Sequence, residues 1–152
     1  MPTVVAKNDN CPLPKTIPSW DEFSNKKWTK VRRWCQPIIK ECVEKHGLDL
    51  DLVSAIVWTE TKGDPSLINP NSGATGLMQI MPKHVIPGRP SQARLLNPRV
   101  NIPEGCTILY DYINLYKSEK DGVWAYGGTN GSYAQYADIV LSVRDTIEAA
   151  YP

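Results

Sequence analysis

No apolar run in this 152-residue sequence approaches the roughly 18 residues needed to cross a bilayer, so no segment reads as a transmembrane helix. The first ten residues, M-P-T-V-V-A-K-N-D-N, lack the charged-then-apolar layout of a secretory signal. The chain as written is therefore expected to lose a leader before numbering begins, or to be delivered by a phage particle, a holin-type lesion or a secretion machine. Charge of one sign is also scarce. With 17 Lys and Arg against 16 Asp and Glu the formal net charge is +1, which gives no reason to expect nucleic acid as a partner. Only two histidines occur, His46 and His84, and neither has cysteine or carboxylate neighbours at a zinc-site spacing, so neither metal nor cofactor is expected. No internal repeat and no convincing alternating strand pair is visible, which leaves a mainly α architecture.

What is present fits one domain: 152 residues at 41% hydrophobic content can bury one core unaided. A monomer is expected. Residues 1–46 carry nine Lys and Arg against five Asp and Glu, and the cluster Lys26, Lys27, Lys30, Arg32 and Arg33 is interleaved with Trp28 and Trp34. Such a cluster reads first as a solvated helix face and second as a contact for an anionic wall or membrane surface. Four cysteines, Cys11, Cys35, Cys42 and Cys106, allow three fully paired connectivities, with buried free thiols an equal alternative. On one straight helix Cys35 and Cys42 would stand about 10 Å apart at Cα, too far for a bridge.

Residues 1–18 are proline-rich and aperiodic, an extended arm ahead of a domain over 19–152. Ser19-Trp20-Asp21-Glu22 has the pattern of a capping box, and an apolar stripe runs from there to Gly47 with an interruption at Pro37. Asp49 or Asp51 caps the next helix, which fails at Gly63-Asp64-Pro65 and so carries Glu60 in its last turn. The turn-rich stretch that follows has room for a small β-hairpin near residues 64–75. Gly76 to Met81 reads as a short helix, 83–100 as a surface connection, and Asn101 with Glu104 as the start of a helix through Cys106, Leu109, Ile113 and Tyr116. A glycine-rich turn from Tyr126 to Gly131 precedes a last helix containing Ala134, Ala137, Val140, Leu141, Arg144 and Ile147.

Taken by itself Glu60 reads first as a surface glutamate beside Lys62 and second as an acid with chemical potential. A carboxylate in the last turn of a helix faces the negative end of the macrodipole, and its neighbours Ile56, Val57 and Trp58 promise partial burial. Both effects favour the neutral acid, the state a general acid needs. The run G-A-T-G-L-M-Q-I-M-P begins at Gly73, 13 positions on. Its glycines permit close backbone approach, Gln79 offers an amide to sugar hydroxyl or N-acetyl groups, and Met78 and Met81 offer adaptable apolar contact. Core burial is the plainer reading for at least two of Leu77, Met78, Ile80 and Met81. Trp58, Tyr110, Tyr112, Trp124, Tyr126 and Tyr133 can stack on sugar faces, though half of them serve equally well as core.

The order W-T-E-T, N-P-N-S-G-A-T-G-L-M-Q-I-M-P, N-P-R-V-N-I-P-E-G-C-T-I-L and W-A-Y-G-G resembles the collinear motifs of the soluble lytic transglycosylase and goose-type lysozyme group, over about residues 38–144. The resemblance implies a lysozyme-like, mainly α domain acting on the glycan strands of bacterial peptidoglycan, in the periplasm or outside the cell. It implies Glu60 as the catalytic acid, Gln79, Met81 and Tyr126 lining the saccharide groove, and Ser72 or Asn69 standing in for a family serine. Thr61 replaces the usual serine after the acid, the loop to Gly73 is one residue longer than usual, and Gly127 stands where asparagine is common. The implied chemistry is protonation by Glu60 of the bond between N-acetylmuramic acid and N-acetylglucosamine, followed by attack of the sugar's own C6 hydroxyl to give a 1,6-anhydro end. Phage lysis or virion entry is the leading setting. Two alternatives stand: a goose-type hydrolase in which Asp64 orients water, and a non-catalytic wall-binding protein on the same fold.

Overall fold

A computed structural model of the chain describes residues 38–128 and 135–150. The N-terminal arm, the helix expected from Ser19, the basic cluster, Cys11, Cys35, Pro37 and Tyr133 lie outside the described residues. Among the described residues six helices follow in order: α1 (38–46), α2 (Leu50–Thr61), α3 (Gln92–Leu95), α4 (Pro98–Tyr116), α5 (Glu119–Gly127) and α6 (Tyr136–Ala150). The fold is mainly α, as the sequence indicates.

Helix α2 is the centre of the core. Every residue from Leu52 to Trp58 is at most 1% exposed, so this helix is enclosed on all sides rather than packed on one stripe. Asp49 caps it by accepting from the Asp51 amide, and the chain leaves the helix through Lys62 and Gly63, both at positive φ. Lys62 turns its ammonium over the Trp58 ring at 5.1 Å. Helix α6 lies against α2 through Tyr136, Ala137, Val140, Val143 and Ile147, and α5 lies against both α4 and α6. Arg144 of α6 reaches Glu119 at the start of α5 at 2.7 Å and the cap Asp49 at 3.7 Å, tying three helices together at one end.

Of the cysteine pairings left open, Cys42 bonds Cys106 with Cα atoms 6.3 Å apart, joining α1 to α4. Closing a loop of 64 residues' separation restricts the unfolded chain and on the chain-entropy view contributes about 4 kcal/mol.

Three local expectations are corrected. Residues 76–81 do not form a helix: Thr75 and Ile80 pair as an antiparallel bridge and the chain between them turns, with Gly76 at φ 76 and Gln79 at φ 51. Only glycine fits at 76, because a Cβ there would collide with the Asn101 side chain and come within 2.5 Å of the Leu95 carbonyl. Helix α4 starts earlier than Asn101, since Asn97 caps it by accepting from the Arg99 amide and Pro98 supplies a φ suited to the first turn. The segment ahead of the glycine-rich turn is the helix α5, capped by Ser118, and Tyr126 and Gly127 belong to its last turn. The hairpin near 64–75 takes the form of a single antiparallel bridge, Ile68 with Thr75, around a turn in which the Gly73 amide donates to the Asn69 carbonyl.

Asn101 is fully buried. Its Oδ1 accepts from the Met78 amide at 2.8 Å, and its Nδ2 donates to the carbonyls of Thr75 and Leu95 at 2.8 and 2.9 Å. Thr61 donates to the Leu77 carbonyl at 2.9 Å and Tyr126 to the Met78 carbonyl at 2.7 Å, so side chains from α2, α4 and α5 all hold the 75–80 turn. Replacing Asn101 by Ala takes the side-chain partner from the Met78 amide and the Leu95 carbonyl and leaves the Thr75 carbonyl with the Ile80 amide alone, and a loss of roughly 3 kcal/mol is expected. Urea unfolding should show a lower midpoint at an unchanged slope; an unaltered midpoint would contradict this role.

Candidate active site

Two open clefts meet at the 75–80 turn. The first, about 290 Å³, is lined by Glu60, Asn69, Gln79 and Tyr136 with an apolar rim of Leu67, Ile68 and Ile139. Leu67, Ile68 and Ile139 remain 39%, 37% and 51% exposed, which leaves a rim suited to the C–H faces of a ligand. The second, about 320 Å³, is lined by Gln79, Met81, Arg89, Tyr112 and Tyr126 among others. Gln79 belongs to both.

Glu60 sits in the last turn of α2 with its carboxyl at the base of the first cleft. Burial pushes this carboxyl up from its ordinary 4.5 to about 7, against the opposing effect of a hydrogen bond from Tyr136. The Tyr136 hydroxyl donates to Glu60 Oε2 at 2.7 Å across 76 positions of sequence. Near neutral pH the group is thus poised between acid and base, held in one orientation by a phenol.

Tyr136 owes its place to Gly127. A Cβ at position 127 would run into the Tyr136 ring at Cδ2 and Cγ. The glycine where the resembling family commonly has asparagine therefore has a physical reason in this chain: the last turn of α5 yields the volume that the Tyr136 ring fills.

Gln79 donates its amide nitrogen to the Leu67 and Gly76 carbonyls, both at 3.0 Å, which orients the side chain and leaves the amide oxygen for a ligand donor. Met81 lies on the second cleft, Leu77 and Met78 are core, and the buried Ile80 belongs to the core and to the wall of that cleft. Tyr126 presents its ring to the second cleft, but its hydroxyl is committed to the Met78 carbonyl. Burial first, and the Glu60 charge second, push that hydroxyl well above its ordinary 10, with Arg89 opposing. Asn69 borders the Glu60 cleft, yet its Oδ1 accepts from the amides of Asn71 and Ser72 and so shapes the turn. Ser72 accepts from the Ala74 amide at 3.2 Å and lines neither of these two clefts. Asp64 accepts from the amide and hydroxyl of Ser66 at 2.9 and 2.7 Å, and it does not border the Glu60 cleft. Glu60 is the one carboxyl on that cleft among the described residues. Trp58 is core, and Tyr110 stacks on His46 at 4.9 Å. Among the described residues no group of three or more His, Cys, Asp or Glu side chains is arranged to hold a metal ion, and no helix is long and apolar enough to cross a membrane.

Sequence reasoning missed Tyr136 and Asn101. Nothing local marks Tyr136, since its partner is 76 residues away and its neighbours read only as the start of a helix. Asn101 gave a signal of the wrong kind, a cap-competent residue near a helix start.

Residues 37–143 match the family model described as Transglycosylase SLT domain. Endo-type membrane-bound lytic murein transglycosylase A of Klebsiella pneumoniae is 32% identical over 102 residues, an alignment covering 58% of this chain and 50% of that protein. Membrane-bound lytic murein transglycosylase E of Buchnera aphidicola is 30% identical over 135 residues, covering 82% and 56%. Membrane-bound lytic murein transglycosylase C of Yersinia enterocolitica is 31% identical over 90 residues, covering 53% and 25%. The chain thus spans about half the length of the first two and a quarter of the third.

Because the Tyr136 hydrogen bond favours the carboxylate, Tyr136→Phe is expected to raise the Glu60 titration midpoint above about 7, by roughly one pH unit. Gly127→Ala should move it in the same direction by displacing the ring. Carbon-13 NMR titration of the Glu60 carboxyl measures both, and an unmoved midpoint in Tyr136→Phe would show that the bond does not act on Glu60.

Proposed function

We propose an activity from the premise that this chain belongs to the Transglycosylase SLT domain family: it is a lytic transglycosylase that cleaves the glycan strands of peptidoglycan in the bacterial cell wall. The observation that carries the reading is a lone, half-buried acid. Glu60, with its carboxyl near 7, stands in a cleft to which no second described carboxyl belongs. Glycosidases that hydrolyse with two carboxylates place them about 5 Å or about 6.5–9.5 Å apart, and Asp64 is occupied instead in the turn with Ser66.

The single-acid route needs no second carboxylate. Neutral Glu60 donates its proton to the oxygen linking the muramyl C1 to the next sugar, and the C1–O bond breaks. Positive charge developing at C1 is met by the substrate's own N-acetyl carbonyl. Glu60, now a carboxylate, takes the proton of the muramyl C6 hydroxyl as O6 bonds to C1. The product is a 1,6-anhydro ring, the acid is regenerated, and no water is consumed. Tyr136 serves both halves, since its hydroxyl orients the acid and then stabilises the carboxylate. The Gln79 amide oxygen and the apolar rim supply contacts to the sugars, while Met81 and Tyr126 extend the groove past the turn.

Digested cell wall analysed by mass spectrometry should contain anhydromuropeptides; reducing muramyl ends in their place would favour hydrolysis and overturn the single-acid route. Glu60→Gln is expected to abolish cleavage while the protein still folds. For the wild type, kcat/KM should fall as pH rises through about 7, where the acid loses its proton. The same raised value bears on stability. The unfolded carboxyl ionises near 4.5 and the folded one near 7, so Glu60 costs stability progressively between those values and no further above them. Glu60→Gln should therefore gain on the wild type across pH 4.5–7 in thermal melts and hold a constant advantage at higher pH.

A further inference from the structure

Arg89 is the one charged residue among the described residues lining the second cleft, where its neighbours include Ile86, Ile108 and Tyr112. Its side chain is 19% exposed, so the guanidinium is held within the wall rather than free in solvent. One N–H donates to the Met81 carbonyl at 3.3 Å, which fixes the group beside a residue of the groove. Its acidic neighbour Glu104 stands 4.0 Å from Nε, beyond hydrogen-bond length, so the cation retains donors for another anion. Two further depressions open on Arg89, both lined also by Glu104 and Thr107; Asp111 borders one, whereas Arg94 and Arg99 border the other and give an anionic group branching from the groove a path beyond it.

The glycan proposed above is not a bare sugar chain. Its muramyl residues carry short peptides with free carboxylates, attached through the lactyl ether. A sugar seated past Gln79 would bring that branch toward Arg89, and a guanidinium among apolar walls binds a carboxylate more strongly than one in open solvent. We propose that Arg89 binds a carboxylate of the peptide borne by the muramyl residue, so that the enzyme selects peptide-substituted over bare strands. This rests on the glycan-cleaving reading.

The test compares wild type, Arg89→Met and Arg89→Lys on glycan strands with their peptides and on strands stripped by an amidase, with the lactyl carboxylate that the cut frees capped as its methylamide. Wild type should favour substituted strands in kcat/KM, Arg89→Met should reduce that preference about tenfold, and Arg89→Lys should restore part of it. Equal preference in wild type and Arg89→Met overturns the proposal. Calorimetry on the Glu60→Gln background, with a muramyl peptide, its amidated form and the peptide-free sugar as probes, separates binding from cleavage. Adding Arg89→Met should weaken the muramyl peptide about tenfold and bring it level with its amidated form. Arg89-dependent binding in a protein whose wild type cleaves nothing would sink the glycan-cleaving reading and keep this one. Cleavage with Arg89-independent binding would do the reverse.

Discussion

The 75–80 turn hangs from three helices by three side chains, and the Asn101 amide is the pivot. It satisfies backbone groups on both sides of a chain reversal that buries Leu77 and Met78 completely. Without such partners the buried amide and carbonyls of the turn would each carry a desolvation penalty, and the segment would be free to wind or unwind. Thr61 and Tyr126 complete the suspension. Because Thr61 directly follows Glu60, the contact that secures the turn also fixes the distance between the acid and the groove wall. Core and site are thus parts of one hydrogen-bonded frame.

Position and ionisation of Glu60 are decided by separate parts of that frame. Helix α2 carries the carboxyl into a poorly solvated place, which favours the proton, and α6 returns a phenol that favours its loss. The balance lies near 7 only while both act. Gly127 enters the balance indirectly, by leaving room for the ring. A change of side chain in the last turn of α5 is thereby felt at an oxygen of α2, through packing alone.

Much of this was legible in the sequence where the signals were local. Helix α2 could be placed from a cap at Asp49 or Asp51, of which the structure uses Asp49, and from the break at Gly63-Asp64-Pro65, which put Glu60 in its last turn. The run from Gly73 to Pro82 pointed to the groove wall. Its conformation did not follow, because Leu77, Met78 and Ile80 have a spacing compatible with a helix or a turn, and the decision rests with Asn101, 23 residues beyond Met78. Asn97 and Asn101 are equally competent caps, and the proline after Asn97 was the discriminating detail. Helix α5 was hidden by Gly122 and Gly127, poor helix formers whose neighbours supply the stability. Tyr136 was out of reach of any local pattern, and Arg89 lay in a stretch that read only as a surface connection.

Gln79 adopts a left-handed backbone conformation at φ 51, where a side chain is disfavoured by about 1 kcal/mol or more relative to glycine. Glycine would relax the backbone there, yet the chain keeps a long amide at the one residue common to both clefts among the described residues. The strain is offset by the two hydrogen bonds that the Gln79 amide nitrogen makes to the Leu67 and Gly76 carbonyls, so the residue that bends the backbone also ties the bend shut, and glycine there would trade a relaxed φ for an unlatched turn.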